Sequence, residues 1–355
     1  MLFGLSVVVI LQKRYLAIYS TTYGARVTAE PRCGMRKMSR NLAENPEVDL
    51  SSFATSLRTR LRACRSFLLT PGSRPERFSG ANAGDAIMID LESNVAQAEK
   101  GKAREAALAY LRQPDETDFV RILRINSPRT VEGLRDLLAL HESHAYPDAM
   151  VIPKCESADE IGVVADLLDG SHSAIGIIPM IELARAVFVA HLIANAHERV
   201  CGLFLGGGDL ATDLGAEGSW ENLLFGRSCV VAAAATTGLA AIDAPYFKGD
   251  QAGLKQETAA SRKLGMTAKA ALHAEQLATI NAIFTPSPEA VSHARAAMAA
   301  CAAAGTSTPV LHGHVIEPAM IREAERVLAI ADMLRNRAEP SPPKSSAFHM
   351  TNEVP

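Results

Sequence analysis

Two acidic residues stand in settings suited to a hard cation. Glu182 ends the stretch Pro179-Met180-Ile181-Glu182, and Asp209 ends Gly206-Gly207-Gly208-Asp209. Each follows a short apolar run, so both would lie at corresponding ends of neighbouring elements. Two convergent carboxylates, with water and substrate oxygens completing the shell, suit Mg²⁺, with Mn²⁺ as an alternative occupant. Gly207 and Gly208 would let the backbone approach a ligand closely. Each acid also has a plain structural reading: Glu182 as the acidic start of a helix, Asp209 as an N-cap.

Other chemistry-bearing residues follow other apolar runs. Arg124, in Arg124-Ile125-Asn126, offers a planar fork for a carboxylate or thioester oxygen, or else closes a salt bridge. The stretch Pro71-Gly72-Ser73-Arg74-Pro75-Glu76-Arg77 joins a glycine turn to a helix start and two arginines, which makes an anion site or a bare turn and cap. Asp90 and Glu92, in Asp90-Leu91-Glu92-Ser93, could support a metal ligand or move a proton. Lys269 and His273 flank the last apolar run, where Lys269 could meet a phosphate or carboxylate and His273 could donate a hydrogen bond.

Something must bring these residues to one place. The apolar runs are Ser66–Thr70, Ala86–Asp90, Val120–Ile125, Ala149–Ile152, Ala174–Ile181, Val200–Leu205, Leu239–Ile242 and Ala268–Leu272. Their lengths suit buried parallel strands. Between them lie Ala98–Arg112, Val131–His141, Ala158–Leu168 and Gln251–Leu264, with helical spacing. Eight such units predict an α/β fold, a (β/α)₈ TIM barrel whose chemistry sits just beyond the strands' C-terminal ends. No GxGxxG follows the first run, which weakens a dinucleotide-binding open sheet. The barrel is expected over residues 61–287 and a C-terminal helical lid over 288–337, with helices Glu289–Ala304 and Pro318–Arg335 around a loop Gly305–Gly313. Residues 338–355 read as a Pro/Ser-rich disordered tail. Residues 1–60 read as an N-terminal extension outside the fold, either transit-like (no acid occurs in 1–29) or an over-extended start before Met35 or Met38.

The 355 residues are 48% hydrophobic and 21% charged with net charge −3, which gives no general attraction to nucleic acid or an anionic membrane. No run approaches a membrane span. The six scattered cysteines form no CxxC pair and fit a reducing compartment. The expected location is cytoplasmic, or the mitochondrial matrix if the first 40 residues are a transit peptide.

In order along the chain, RSFLLTPGSRPERF, DAIMIDLES, VRILRIN, IPKCES, IPMIE, GGGDLATDLG, AIDAPY and HGHVIEP resemble the HpcH/HpaI aldolase and citrate lyase beta-subunit family, in the branch that includes malyl-CoA and citramalyl-CoA lyases. The similarity runs from about Arg65 to about Leu334. It implies a barrel with a C-terminal lid, assembled as a homotrimer or homohexamer. It also implies Mg²⁺ on Glu182 and Asp209, and Arg124 against the substrate. Ser73 and Arg74 would stand at the entrance used by coenzyme A. Gly207, Gly208 and Lys269 would be further substrate contacts, and Glu92 would take part in catalysis. The family's late acid reaches a neighbouring subunit's site and moves a proton at the acetyl carbon; here Glu317 fills that position. The implied reaction is cleavage or formation of a carbon–carbon bond in a 3-hydroxyacyl-CoA, giving a 2-oxo acid and acetyl-CoA.

Four departures bear on this. Ser93 stands for an acid of DLED, Gly208 for the acid before Asp209, Leu272-His273-Ala274 for IHP, and Glu317 for a shorter Asp. They leave three further readings open: a CoA-independent 2-oxo acid aldolase, the beta subunit of a citrate lyase complex, and a non-catalytic acyl-CoA binder.

Overall fold

The computed structural model describes residues 50–338 except 115–118, 170–171, 173 and 306. The expectations for 1–49 and for the tail from 339 lie outside the described residues. Eight parallel strands close into a barrel in sequence order: β1 (Ser66–Pro71), β2 (Ala86–Asp90), β3 (Val120–Arg124), β4 (Ala149–Ile152), β5 (Gly176–Ile181), β6 (Gly202–Leu205), β7 (Ala240–Asp243) and β8 (Ala268–Ala271), with β8 pairing back onto β1. This is the (β/α)₈ barrel that the apolar runs predict. Each strand lands within a few residues of its run.

The helices in chain order are α1 (Leu50–Ala63), α2 (Lys100–Arg112), α3 (Val131–His141), α4 (Ala158–Leu167), α5 (Ala184–Ala194), α6 (Gly207–Asp213), α7 (Leu224–Thr237), α8 (Gln251–Leu264), α9 (Ala274–Phe284), α10 (Pro288–Ala304) and α11 (Pro318–Ala338). Their starts obey local chemistry. Thr130, Ser157 and Asp250 side chains accept from the third backbone N–H beyond them and begin α3, α4 and α8. Glycines with positive φ, Gly238 and Gly265, end α7 and α8.

Alternation along the strands separates two cores. Phe67, Leu69, Met88, Ile122, Val151, Ile178, Met180, Phe204 and Ile242 fill the barrel's interior, while the residues between them pack outward against the helices. One expectation needs correcting here: the fold does not begin at residue 61. Helix α1 plugs the barrel's N-terminal end, and its Leu57 and Leu61 belong to the interior core. Arg58 donates to the carbonyls of Glu198 and Val200, which lead into β6. Gly176, at the start of β5, has no room for a Cβ because Leu57 Cδ2 would stand 2.4 Å from it.

The C-terminal extension is a helical hairpin, α10 against α11, with a small core of Ala294, Ala297, Ile316, Ala324 and Val327. Val310–Leu311, inside the stretch read as a loop, pairs with His314–Val315 just beyond it as a two-stranded ribbon. Helix α11 also packs on α1. Among the described residues no helix is long and apolar enough to cross a membrane.

Leu61→Ala should remove a fully buried side chain from the plug and cost about 2–5 kcal/mol. Urea unfolding measures this; a loss below about 0.5 kcal/mol, the level of a surface change, would show that α1 is not part of the core.

Candidate active site

The strands' C-terminal ends gather the charged residues. Asp90 and Arg124 are register partners on β2 and β3, and both continue the inward-facing series, Met88 to Asp90 and Ile122 to Arg124. Arg124 grips Asp90 with two bonds, Nε to Oδ1 at 2.7 Å and Nη2 to Oδ2 at 2.6 Å. Nη2 also donates to Ser93 Oγ at 2.7 Å. The backbone N–H groups of Glu92 and Asn94 and the Asn94 amide donate to the same Asp90 carboxylate. Burial by itself would raise the Asp90 carboxyl; Arg124 and these donors overcome it and hold it below the usual carboxylate range. Asp90 therefore positions Arg124. The remaining nitrogen, Nη1, has only longer contacts, 3.5 Å to Glu92 Oε2 and 3.8 Å to Met180 Sδ. Arg124 thus makes the salt bridge that its sequence allows on one edge, and on the other it holds a nitrogen with only long contacts.

Glu182 follows β5 and continues the inward series after Met180. It is buried, and burial pushes its carboxyl up to about 7, with Lys154 acting in the opposite direction. Its Oε1 accepts from the backbone N–H of Lys154 at 2.7 Å, and its buried Oε2 has no hydrogen-bond partner. An ionisable oxygen buried without a partner is costly unless a ligand satisfies it. Its neighbour is the backbone of Gly206, where a Cβ would stand 2.2 Å from Oε2. The close approach allowed by the glycines is therefore at Gly206 and is made by Glu182. Gly207 is buried beside Ala244, and Gly208 is exposed, with only Phe247 near the place of a Cβ. Asp209 stands in the first turn of α6 with its side chain 45% exposed.

Lys154 joins these acids. Its Nζ lies 3.0 Å from Glu92 Oε1, 3.3 Å from Asp209 Oδ2 and 3.9 Å from Glu182 Oε1. Its φ of 53° lies in the left-handed region, at a typical cost of about 1–3 kcal/mol for a residue with a side chain. Burial disfavours its charge, but Glu182, Glu92 and Asp209 outweigh that and raise its pKa. Lys154 falls within the IPKCES motif, yet its role depends on a backbone angle that the motif does not display. Lys100 steadies the same end: its Nζ donates to the carbonyls of Leu91 and Glu92 and to Asn126 Oδ1.

One residue, Lys269, is not where the sequence reading puts it, and Glu317, expected to act on a neighbouring copy, stands away from this chain's own mouth. Lys269 lies on β8 between the inward-facing Ala268 and Ala270, so it points outward. It is fully buried among Asp243, Glu257 and the carbonyl of Ala244, and cannot reach a substrate. Glu317 is exposed at the start of α11. Among the described residues no side-chain hydrogen bond or ion pair ties it to the barrel mouth within this chain. Ser73 and Arg74 occupy the β1 turn, where Arg74 N–H donates to the Pro71 carbonyl; the helix that follows, Pro75–Ala83, is 3₁₀. Arg74 is exposed at the mouth and Ser73 is half-buried. His273 is exposed at the start of α9.

The charges do not balance. Asp90, Glu92, Glu182 and Asp209 share the ion pairs of two cations, Arg124 and Lys154, and Lys100 beside them is engaged by carbonyl oxygens. Among the described residues no three His, Cys, Asp or Glu side chains form a ready metal cluster. The set fits a hard divalent ion that takes two carboxylates and completes its shell with other oxygens.

Gly206→Ala would force the Glu182 carboxylate away from the β6 backbone. It should cost about 1–3 kcal/mol of stability and weaken divalent-cation binding. Unfolding and cation titration measure the two effects; wild-type values in both would refute the placement of Glu182.

The sequence model of the HpcH/HpaI aldolase/citrate lyase family matches residues 65–274. The (3S)-malyl-CoA thioesterase of Cereibacter sphaeroides is 35% identical over 279 residues, 76% of this chain and 95% of that protein. The L-malyl-CoA/beta-methylmalyl-CoA lyase of the same organism is 31% identical over 306 residues, 77% of this chain and 96% of that protein. The structure of CitE from Mycobacterium tuberculosis in complex with magnesium, acetoacetate and coenzyme A superposes with a TM-score of 0.59 at 29% identity, covering 78% of this chain and 100% of that one. This chain belongs to the HpcH/HpaI aldolase/citrate lyase family, and with it to the carbon–carbon lyases.

Proposed function

We propose that this protein cleaves or forms a 3-hydroxyacyl-CoA of the malyl-CoA, citramalyl-CoA or citryl-CoA type, with a 2-oxo acid and acetyl-CoA on the other side of the reaction. The observation that carries the reading is Glu182, one oxygen of which is buried and unpartnered, at the same strand ends as Asp209 and beside an arginine whose Nη1 makes only long contacts, to Glu92 and Met180. Glu182 and Asp209 would hold Mg²⁺, or Mn²⁺ in its place. When bound, the ion supplies Lewis-acid polarisation of the substrate's carboxylate and hydroxyl oxygens. Arg124 Nη1 would donate to the oxygen on which charge develops. Glu92, held by Lys154, would act as a nearby acid or base. Ser73 and Arg74 would meet the coenzyme A moiety at the mouth, and the exposed backbone of Gly208 would leave room for the acyl group, whereas the space beside Gly207 is filled by Ala244 and Leu223.

The proton at the acetyl carbon needs another group, and Glu317 of a neighbouring copy would supply it. Its exposure and the docking of α11 on α1 suit a lid that works in trans. The assembly would be a homotrimer or homohexamer. Phe188 and Phe225, 72% and 61% exposed with ring centroids 6.1 Å apart, belong to an apolar outer surface that a neighbour would cover.

The test is turnover of malyl-CoA, citramalyl-CoA and citryl-CoA with Mg²⁺, following 2-oxo acid and free thiol together, with an EDTA control. The proposal expects EDTA-sensitive release of a 2-oxo acid. Thiol release without a 2-oxo acid would replace it with thioester hydrolysis, the reaction in the name of one relative. 3-Hydroxy-3-methylglutaryl-CoA should be inert, because its C3 carries no carboxylate.

Glu182→Gln and Asp209→Asn should each abolish turnover at saturating Mg²⁺; retained turnover in either would sink the ligand assignment. Glu317→Ala should slow turnover by about 10²–10⁴-fold with cation binding kept. Co-assembly of Glu182→Gln with Glu317→Ala should restore activity through mixed sites. No gain over the separate variants would refute the lid in trans.

A further inference from the structure

We propose that Lys154 is an internal counter-ion that takes the divalent cation's place in the metal-free site and withdraws from Glu182 and Asp209 when the cation enters. The inference rests on the reading of those two residues as cation ligands and adds the step by which the site is opened to the ion.

Three observations carry it. The Lys154 ammonium lies within 4 Å of three carboxylates that arrive from three different strand ends: Glu92 beyond β2, Glu182 beyond β5 and Asp209 beyond β6. Second, its backbone N–H donates to Glu182 Oε1 at 2.7 Å, and its φ is 53°. The main chain is thus locked against one ligand, so the side chain alone remains free to move. Third, that side chain is 36% exposed, which leaves it a way out.

The competition is spatial. The ammonium stands 3.3 Å from Asp209 Oδ2 and 3.9 Å from Glu182 Oε1, so an ion held by the same two carboxylates would compete with it for their charge and for the space between them. Glu92 is the contact Lys154 can keep, because it is the shortest of the three and belongs to neither proposed ligand. In that second position the ammonium stays at the rim beside Glu92. Lys154 is a positioning residue on this reading. It keeps three repelling acids together until the cation replaces it, and it guards against an uncompensated charge in either state.

The experiment uses the whole protein without substrate and Mn²⁺ as the probe, its binding read from loss of the free-ion electron paramagnetic resonance signal, with MgCl₂ as competitor. Lys154→Met should bind Mn²⁺ about tenfold more tightly than the wild type, since a cation competing at contact distance has been removed. Lys154→Arg, which keeps the charge, should not. In the wild-type protein, acylation of Lys154 by an amine-directed reagent, read by mass spectrometry at fixed pH, should rise when Mg²⁺ is added. Unaltered or weaker binding in Lys154→Met, or labelling that stays level or falls with Mg²⁺, would overturn the counter-ion role and leave the ligand assignment standing. A wild-type protein that takes up no Mn²⁺ would overturn both. The labelling needs no variant, so it decides the matter even if Lys154→Met misfolds.

Discussion

The burial of one carboxylate organises this active end. Glu182 is carried inward by β5 and finds no side chain able to satisfy its Oε2. In water that oxygen would hold several hydrogen bonds, and in the barrel mouth it holds none, so the fold carries a local deficit that a cation can remove. The surrounding features follow from it. Gly206 has to be glycine, because the carboxylate lies where a Cβ would be. Lys154 has to turn its amide toward Oε1, and its unusual φ is the backbone's means of doing so. The ammonium beyond that amide then draws Glu92 and Asp209 into the same space.

Asp90 and Arg124 solve a different problem with the same materials. Their charges cancel, their geometry is two-pronged, and the loop beyond β2 wraps its N–H groups around the Asp90 carboxylate. A buried pair of this kind adds little net stability, but it fixes direction. It presents Nη1, rather than the whole guanidinium, to the mouth. At the opposite end, Arg65 and Asp85 form a comparable two-pronged pair, and there the surrounding elements are the plug helix and the strand starts. One interaction type thus serves closure at one end and orientation at the other.

How much of this was legible in the sequence depends on which physical signal carried it. The strands were legible because parallel strands buried on both faces leave continuous apolar runs. That same continuity hid which way each residue points. In Ala268-Lys269-Ala270-Ala271 nothing marks the inward face, so Lys269 read as a mouth residue when the alternation sends it outward to Asp243. Asp90 and Arg124 stayed ambiguous in the sequence, and it is their meeting in register on β2 and β3 that pairs them. Glu182 and Asp209 stood out as acids after apolar runs, whereas Lys154 did not, because a positive φ at a lysine leaves no trace in residue type. The plug helix was missed for a simpler reason: its buried Leu57 and Leu61 sit directly after a stretch of unusual composition, and the boundary between them is not a change in hydropathy.

The departures from the family's motifs can be weighed by what surrounds them. Ser93 keeps a contact, accepting from Arg124 Nη2 in place of an acid. It removes a negative charge from beside Arg124, and this leaves the guanidinium less neutralised and better able to attract a substrate oxygen. Gly208 meets no neighbour that demands glycine; the nearest atom to its missing Cβ belongs to the exposed Phe247. Its effect is to leave space and to lower the negative charge beside Asp209. Both changes subtract acid from a site that already carries more carboxylates than cations, and neither touches Glu182, Asp209 or Gly206. They act on the substrate side of the cation, so the departures alter what the site accepts more readily than whether it holds an ion.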